Sequence, residues 1–390
     1  MTEKLYYSDS HIKAFRARVI SCEPCGERFA AVLDKTAFFP EGGGQLADTG
    51  RIGSARVLDV QEKNGEILHY VNQTLEPGSE YECSLDWEQR LRRMQDHSGE
   101  HIVSGLVHKK YGYNNVGFHM GNDVMTIDFD GDLGSEELEQ IEREANLAVA
   151  ANLAVRTSFP SGEELAAMDY RSKLELIENV RIVEIEGIDL CACCAPHVSG
   201  TAEIGLIKII GHERRRRGGE GTRVFMLCGL DAYDDYAVKQ KNAVAVSNML
   251  SAPQDKTAAA VERVVSERDS LKHRAAELGR ALALCRAEGV SRTEGNVCIF
   301  DELLDDAALR DMINAIVPKV GGLAAVFSGN DEKGYRYIIG SAGINLRAAA
   351  AEINKGISGR GGGSPEMIQG RCKENREKIQ NFVLNFDFCT

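Results

Sequence analysis

The chain has no apolar run long enough to span a bilayer, which excludes a helical membrane protein and any membrane partner of that kind. Its first residues, Met1-Thr2-Glu3-Lys4-Leu5, lack the charged-then-apolar pattern of an export signal. The eleven cysteines are therefore expected as reduced thiols in a cytoplasmic chain, some of them metal ligands, and not as a disulfide scaffold. An excess of positive charge is also missing. A net charge of −13 argues against indiscriminate coating of nucleic acid, which rests on neutralising phosphates. Local basic tracks remain: Arg214-Arg215-Arg216-Arg217 with Arg223 after it, and Arg90, Arg92 and Arg93. Each fits an RNA-facing path or a solvated face. No Lys-Ser or Lys-Thr follows the run Gly42-Gly43-Gly44, so it is not a Walker loop. No His-Glu-x-x-His occurs, which disfavours a metalloprotease, and no Asp-His-His occurs, which leaves a phosphoesterase poorly supported.

What is present is 390 residues of ordinary hydrophobic content, too long for one core and suited to two to four domains. The pattern predicts a multidomain α+β protein. Residues 1–90 read as a small β-barrel: Phe29 to Leu33, Ala55 to Val60 and Glu66 to Val71 are short apolar or β-branched runs between turn signals. Asn64-Gly65 suits a two-residue hairpin turn. Residues 91–231 read as α+β, with a helix from Leu91 to about Lys110, strands at Val124 to Phe129, Val180 to Glu186, Ile204 to Ile210 and Arg223 to Cys228, and a helix capped by Ser135. Ser161 and Glu164 form a capping-box pattern.

Residues 232–290 read as helical. Val261, Val264, Arg268, Leu271, Ala275, Leu278, Leu282 and Cys285 form a heptad seam, flawed at Arg268. It fits a coiled-coil homodimer or a hairpin with Tyr236 to Leu250, and the sequence does not choose between them. Residues 291–390 read as a C-terminal α/β domain. There Ser358-Gly359-Arg360-Gly361-Gly362-Gly363-Ser364-Pro365 is expected as a phosphate-type loop before a helix start.

The chemistry concentrates in two stretches. His97 and His101 stand four residues apart on the predicted helix, so both imidazoles reach one point. Far downstream, Cys193 and His197 add a pair with zinc-type spacing. Cys191 and Cys194 compete with Cys193 as the sulfur ligand. Cys22-Glu23-Pro24-Cys25 has no matching pair and reads as a turn with buried thiols. His69, His108, His119 and His212 read as structural, with His119 near enough in motif to line a site. Glu100 is the candidate base, although it lies one step, about 100°, around the helix from His101.

The order of these motifs resembles the editing domain of alanyl-tRNA synthetases and the related alanyl-tRNA editing proteins. His97-x-x-x-His101 and Cys193-x-x-x-His197 followed by Val198 carry the likeness. So do Phe39-Pro40-Glu41-Gly42-Gly43-Gly44-Gln45 with Asp48 and Gly50, and Thr201-Ala202-Glu203-Ile204-Gly205. Gly359-Arg360-Gly361-Gly362-Gly363 with Pro365, Met367 and Gln369 is similar to the C-terminal domain that those synthetases share with DHH-type phosphoesterases. The resemblance covers nearly the whole chain, leaves no room for a synthetase catalytic domain, and points to the freestanding long form. It implies one zinc ion at His97, His101, Cys193 and His197. It implies a deacylase acting on tRNA(Ala) charged with serine or glycine, with Gly42, Gly43, Gly44, Gln45, Thr201 and Arg223 against the substrate. A zinc-stabilised tRNA- or RNA-binding module without catalysis is the alternative. The family often has Gly-Thr before the last histidine, where this chain has Ala195-Pro196.

Overall fold

The computed structural model describes residues 2–121, 124–172, 180–215 and 220–387. The chain divides into two units, Met1–Asn242 and Ala243–Thr390. In the first unit, β1 (Glu3–Lys4) pairs in parallel with β4 (Lys35–Thr36). Separately, β2 (Ala14–Cys25), β3 (Arg28–Leu33), β5 (Gly50–Ile52), β6 (Ala55–Lys63), β7 (Glu66–Val71) and β8 (Glu80–Leu85) pair in a closed ring, order β2-β3-β7-β6-β5-β8. Every neighbouring pair in it is antiparallel. Alternation drives it: β7 buries Ile67, His69 and Val71 and turns the residues between them outward. Asn64 and Gly65, at φ 53° and 80°, make the tight turn that pairs Lys63 with Glu66. Cys22 and Cys25 lie within β2 and not in a turn. The turn falls one step later, at Gly26 with φ 63°, and Cys25 is exposed.

α1 (Trp87–Tyr111) is buried almost continuously from Arg90 to Val107, polar residues included. A helix enclosed on all sides must find partners for those groups inside the protein. It packs with α2 (Ser135–Ala150) on a four-stranded sheet of β9 (Asn115–Met120), β10 (Met125–Phe129), β14 (Ile207–Arg214) and β15 (Thr222–Cys228), order β14-β15-β10-β9. Ile102, Val103, Leu138, Ile141, Ile127 and Val224 share that core, which is separate from the apolar interior of the ring. α2 begins one residue earlier than its sequence suggests. Gly134 is the cap, donating its N–H to the Glu137 carboxylate at 3.1 Å, and Ser135 is the first helical residue. A three-stranded sheet, β11 (Val155–Ser158), β12 (Ile182–Ile185) and β13 (Asp189–Ala192), follows, with the short α3 (Gly162–Ala167) capped by the Ser161–Glu164 box. Ile204, expected in a strand, ends a turn of 3-10 helix at Thr201–Ile204, and the strand starts at Ile207. α4 (Gly229–Leu250) then leads the chain on into the second unit.

After the end of α4 the second unit continues with α5 (Thr257–Glu288), so the predicted helical stretch is two helices broken at Ser251, which has φ 49°. Of the heptad seam, Val261, Val264, Leu271 and Leu278 are exposed on the single chain. β16 (Val297–Phe300), β17 (Ala324–Asn330), β18 (Gly334–Gly340), β19 (Gly359–Gly363) and β20 (Met367–Cys372) form a sheet in the order β16-β17-β18-β20-β19. α6 (Asp306–Ile316) and the end of α5 cover one face, meeting Ala324 and Val326. α7 (Leu346–Gly356) and α8 (Arg376–Leu384) cover the other, meeting Ala325 and Phe327. The glycine-rich run is not a loop before a helix, as expected, but the edge strand β19, hairpinned to β20. A Cβ at Gly361 would stand 2.3 Å from Gln369 O and from the Tyr337 hydroxyl, so glycine there permits the close approach of chains. Among the described residues no helix is long and apolar enough to cross a membrane.

Candidate metal centre

Helical spacing on α1 brings His97 and His101 to one face, and the turn after β13 brings Cys193 and His197 to the same point. One donor atom from each lies within 4.8 Å of the others. Cys193 Sγ stands 3.5 Å from His97 Nε2 and 3.4 Å from His197 Nε2. The three imidazole centroids are 4.6 to 5.5 Å apart.

Each ring is fixed by its other nitrogen. His97 Nδ1 donates to Gln45 Oε1 at 2.9 Å, and His101 Nδ1 to Asp189 Oδ2 at 2.8 Å. His197 Nδ1 meets the Ser98 hydroxyl at 3.0 Å. Such outer partners set the tautomer and leave Nε2 as the inward lone pair, the arrangement that metal-binding histidines use. Asp189 is itself clamped by Arg171, Nε to Oδ1 at 2.7 Å and Nη2 to Oδ2 at 2.8 Å. Burial pushes its carboxyl up, but His101 and Arg171 prevail and hold it at about 2.

The three neighbouring cysteines differ in the same way. Burial raises the Cys193 thiol, yet His97 and His197 outweigh it and hold the group well below its ordinary value. Burial lifts Cys191 to about 11, and desolvation of its sulfur, with Cys193 beside it, lifts Cys194 as far although the residue reaches the surface. Cys193 is thus the thiol suited to act as thiolate, the form that binds metals. Cys194 is exposed and faces the glycine loop, its sulfur 3.5 Å from where a Cβ on Gly43 would stand. Cys191 groups instead with His101 and Asp189. Burial depresses His197 to about 3, which keeps its imidazole neutral. A buried set of three imidazoles and one thiolate matches the nitrogen and sulfur donors that zinc prefers.

The ring contributes through the glycine loop. Gly43 and Gly44 adopt φ 61° and 85°, and Gly42 and Gln45 close the loop with two backbone bonds of 3.0 Å. Gly44 lies against Phe118, where a Cβ would approach to 2.7 Å, and its carbonyl accepts the Met120 N–H. Phe118 in turn packs on His97, 4.9 Å between ring centres. His119, the next residue, is exposed. Gln45 is buried, and its Nε2 has no hydrogen-bond partner among the described residues.

Glu100 is buried beside the cluster, its Oε2 3.8 Å from His101 Nε2. Ser104 donates to Oε1 at 2.7 Å, and Asn115 holds the same oxygen. Thr201 and Arg223 are not brought to the four donors by any contact of their own. Thr201 is wholly buried, donating to Ala148 O at 2.7 Å and accepting from Leu153 N at 2.8 Å. Arg223 makes a two-pronged ion pair with Asp128 across β15 and β10.

The arginines before His97 are also committed within the fold. Arg90 is fully buried against Asp48, Arg93 donates to the Ala47 carbonyl, and Arg92 pairs with Glu88, Asp231 and Asp234. Arg216 and Arg217 lie outside the described residues. The sequence reading missed Asp189, Ser98, Arg171 and Asn115. A hydroxyl directly after His97 and an acid just before the cysteine cluster were the available signals.

Residues 180–223, which carry Cys193 and His197, match the model of the threonyl and alanyl tRNA synthetase second additional domain. Across 98% of both chains the protein is 26% identical to alanyl-tRNA editing protein AlaX-L of Pyrococcus horikoshii. A likeness of this length supports a freestanding alanyl-tRNA editing protein. It is also 26% identical to alanyl-tRNA editing protein Aarsd1 of Danio rerio, over 93% of this chain and 92% of that one. Against an alanine–tRNA ligase of Methanococcus maripaludis the identity is 28% over 98% of this chain, which spans only 43% of that ligase.

Proposed function

We propose that this protein hydrolyses the ester joining serine or glycine to the tRNA for alanine, with zinc held by His97, His101, Cys193 and His197. The observation that carries the reading is the convergence of those four donors, each imidazole oriented by a separate partner, in a chain similar end to end to an alanyl-tRNA editing protein. When bound, zinc would polarise the ester carbonyl or hold the polar end of the substrate.

The remaining work falls to the chain's own groups. Gln45, Asp189 and Ser98 hold the imidazoles in the tautomer that presents Nε2. The unpaired Gln45 Nε2 is a donor available to a substrate carbonyl oxygen. Glu100, fixed by Ser104 and Asn115, serves as the base and takes the proton of the attacking water at its carboxylate. Gly42, Gly43 and Gly44 line the approach with backbone alone. Thr201 and Arg223 support the fold around this site instead of touching substrate.

Serine exceeds alanine by a hydroxyl and glycine lacks a methyl, differences too small for one apolar pocket, so a second hydrolytic sieve is useful. In this reading residues 1–90 bring the glycine loop and 91–231 the cluster. Residues 232–290 and 291–390 hold the tRNA or a second copy of the chain.

One feature favours a second reading. Four protein donors describe a closed, structural zinc site, whereas a catalytic one keeps a position open. A zinc-stabilised RNA-binding module would bind tRNA without turnover. Deacylation of seryl-, glycyl- and alanyl-tRNA(Ala), measured side by side with and without chelator, separates the two. The hydrolase reading expects turnover of the seryl or glycyl ester that the chelator abolishes. Binding without hydrolysis would select the module.

A further inference from the structure

The four donors come from two elements of different kinds. His97 and His101 ride on α1, whose shape is set by its own hydrogen bonds. Cys193 and His197 stand at the two ends of a turn that has none. Among the described residues no backbone hydrogen bond joins residues 193–198 to one another, and Pro196 has no N–H to give. The turn bonds to other backbone at one point, where Cys193 N donates to Arg181 O at 3.0 Å. A largely buried segment without internal bonds takes its shape from what surrounds it.

The surroundings grip every second residue. Arg181 Nη1 donates to Cys193 O at 2.9 Å and to Ala195 O at 2.8 Å. Ser10 Oγ donates to His197 O at 2.7 Å. At the far end Val198 N donates to Ser98 Oγ at 3.2 Å, so α1 itself meets the turn there. Ala195 lies in the apolar interior of the ring. Both grips are themselves held. Arg181 is buried, and its guanidinium carbon stands 5.3 Å from the centre of the Tyr7 ring. Arg90 Nη1 donates to Ser10 O at 3.0 Å, which fixes the segment that presents the Ser10 hydroxyl. Three alternate carbonyls are thus tied, directly or through Ser10, to two buried guanidinium groups.

We propose that Arg181 is the positioning residue of the ligand turn, with Ser10 as its second anchor, and that the two place Cys193 and His197 in register with the histidines of α1. Arginine suits the task. One nitrogen of its rigid fork serves both carbonyls, and its flat face packs on a ring, whereas lysine offers a flexible point charge. A donor set must be held to within about 0.5 Å to work well, and a turn with no bonds of its own does not hold itself. The inference rests on the metal reading above and deepens it.

The test is titration of the metal-free full chain with cobalt(II), which stands in for zinc, followed through the thiolate-to-cobalt absorption. Arg181→Gln and Ser10→Ala should each weaken cobalt binding by about ten-fold or more, the range for lost outer partners of a metal site. Arg181→Lys, which keeps the charge but not the fork, should fall between Arg181→Gln and the unaltered chain. Ser10→Thr, which keeps the hydroxyl, should restore binding. A merely structural role would lower the melting temperature of the metal-free chain and leave the affinity of the folded chain alone. Unchanged affinity in Arg181→Gln therefore overturns the proposal, whatever the melting temperature does. If Arg181→Gln does not fold, Ser10→Ala decides, and an affinity equal to that of the unaltered chain overturns it. If the unaltered chain takes up no cobalt, the metal reading fails by itself. The turn is then judged by amide hydrogen exchange at Cys193 and Val198, the bonded N–H groups at its ends. Exchange no faster in Ser10→Ala than in the unaltered chain overturns the positioning role.

Discussion

His69 inside the ring and the three histidines of the cluster are all buried, yet only the latter are arranged for chemistry. His69 spends both nitrogens on the fold: Nδ1 donates to the Ala31 carbonyl at 3.1 Å, and Nε2 accepts from the Thr36 hydroxyl at 2.8 Å. His97, His101 and His197 spend Nδ1 on a partner and turn Nε2 toward a shared sulfur. Burial alone does not distinguish a structural histidine from a candidate ligand. The nitrogen left over does.

Breaking the cluster should have the largest effect. Cys193→Ala or His97→Ala should remove metal, read by elemental analysis, and abolish seryl-tRNA(Ala) deacylation. Retained metal at full stoichiometry would remove these residues from the ligand set. Altering an outer partner should cost less: Gln45→Ala or Asp189→Asn is expected to lower metal affinity or turnover by about 10- to 100-fold. A chelator competition that finds no change would show that the imidazoles need no such support.

His69 predicts an effect on stability instead. Burial lowers it to about 4, so it stays neutral in the folded ring, whereas an unfolded histidine titrates near 6.5. Between these values the unfolded chain binds the extra proton. Its contribution is therefore whole above about pH 6.5 and is lost as the pH falls toward 4, up to about 3 kcal/mol. Denaturant titrations of His69→Gln across that window should show a flatter pH dependence than the unaltered chain. Equal slopes would assign the acid sensitivity elsewhere.

The glycine runs give the smallest and sharpest contrast. Gly361→Ala meets backbone and the Tyr337 hydroxyl at 2.3 Å and should destabilise by about 1–3 kcal/mol, leaving metal content unchanged. Gly362→Ala, with nothing within 4 Å, should be neutral to within about 0.5 kcal/mol. Differential scanning calorimetry resolves the two, and equal melting temperatures would deny the close approach at Gly361.

Those runs also show where sequence reading fails. Gly42-Gly43-Gly44 and Gly361-Gly362-Gly363 look alike as text. The first is a loop with positive φ against Phe118, and the second is an extended edge strand that neighbouring chain approaches closely. Composition permits both, and only the neighbours decide. Arg90 is a second case. It reads as part of a basic track, yet it is buried on Asp48, a partner 42 positions away that no local rule identifies.

By itself, the order of residues determined that His97 and His101 share a face, because helical spacing is a local property. It also determined the hairpin at Asn64-Gly65 and the capping box at Ser161. Tertiary structure alone decided which of three adjacent cysteines meets the histidines, which nitrogen each imidazole turns inward, and that Asp189, Ser98 and Gln45 hold them. Those outcomes depend on contacts across 52 to 99 residues, where hydrogen-bond geometry, and not propensity, selects the partner.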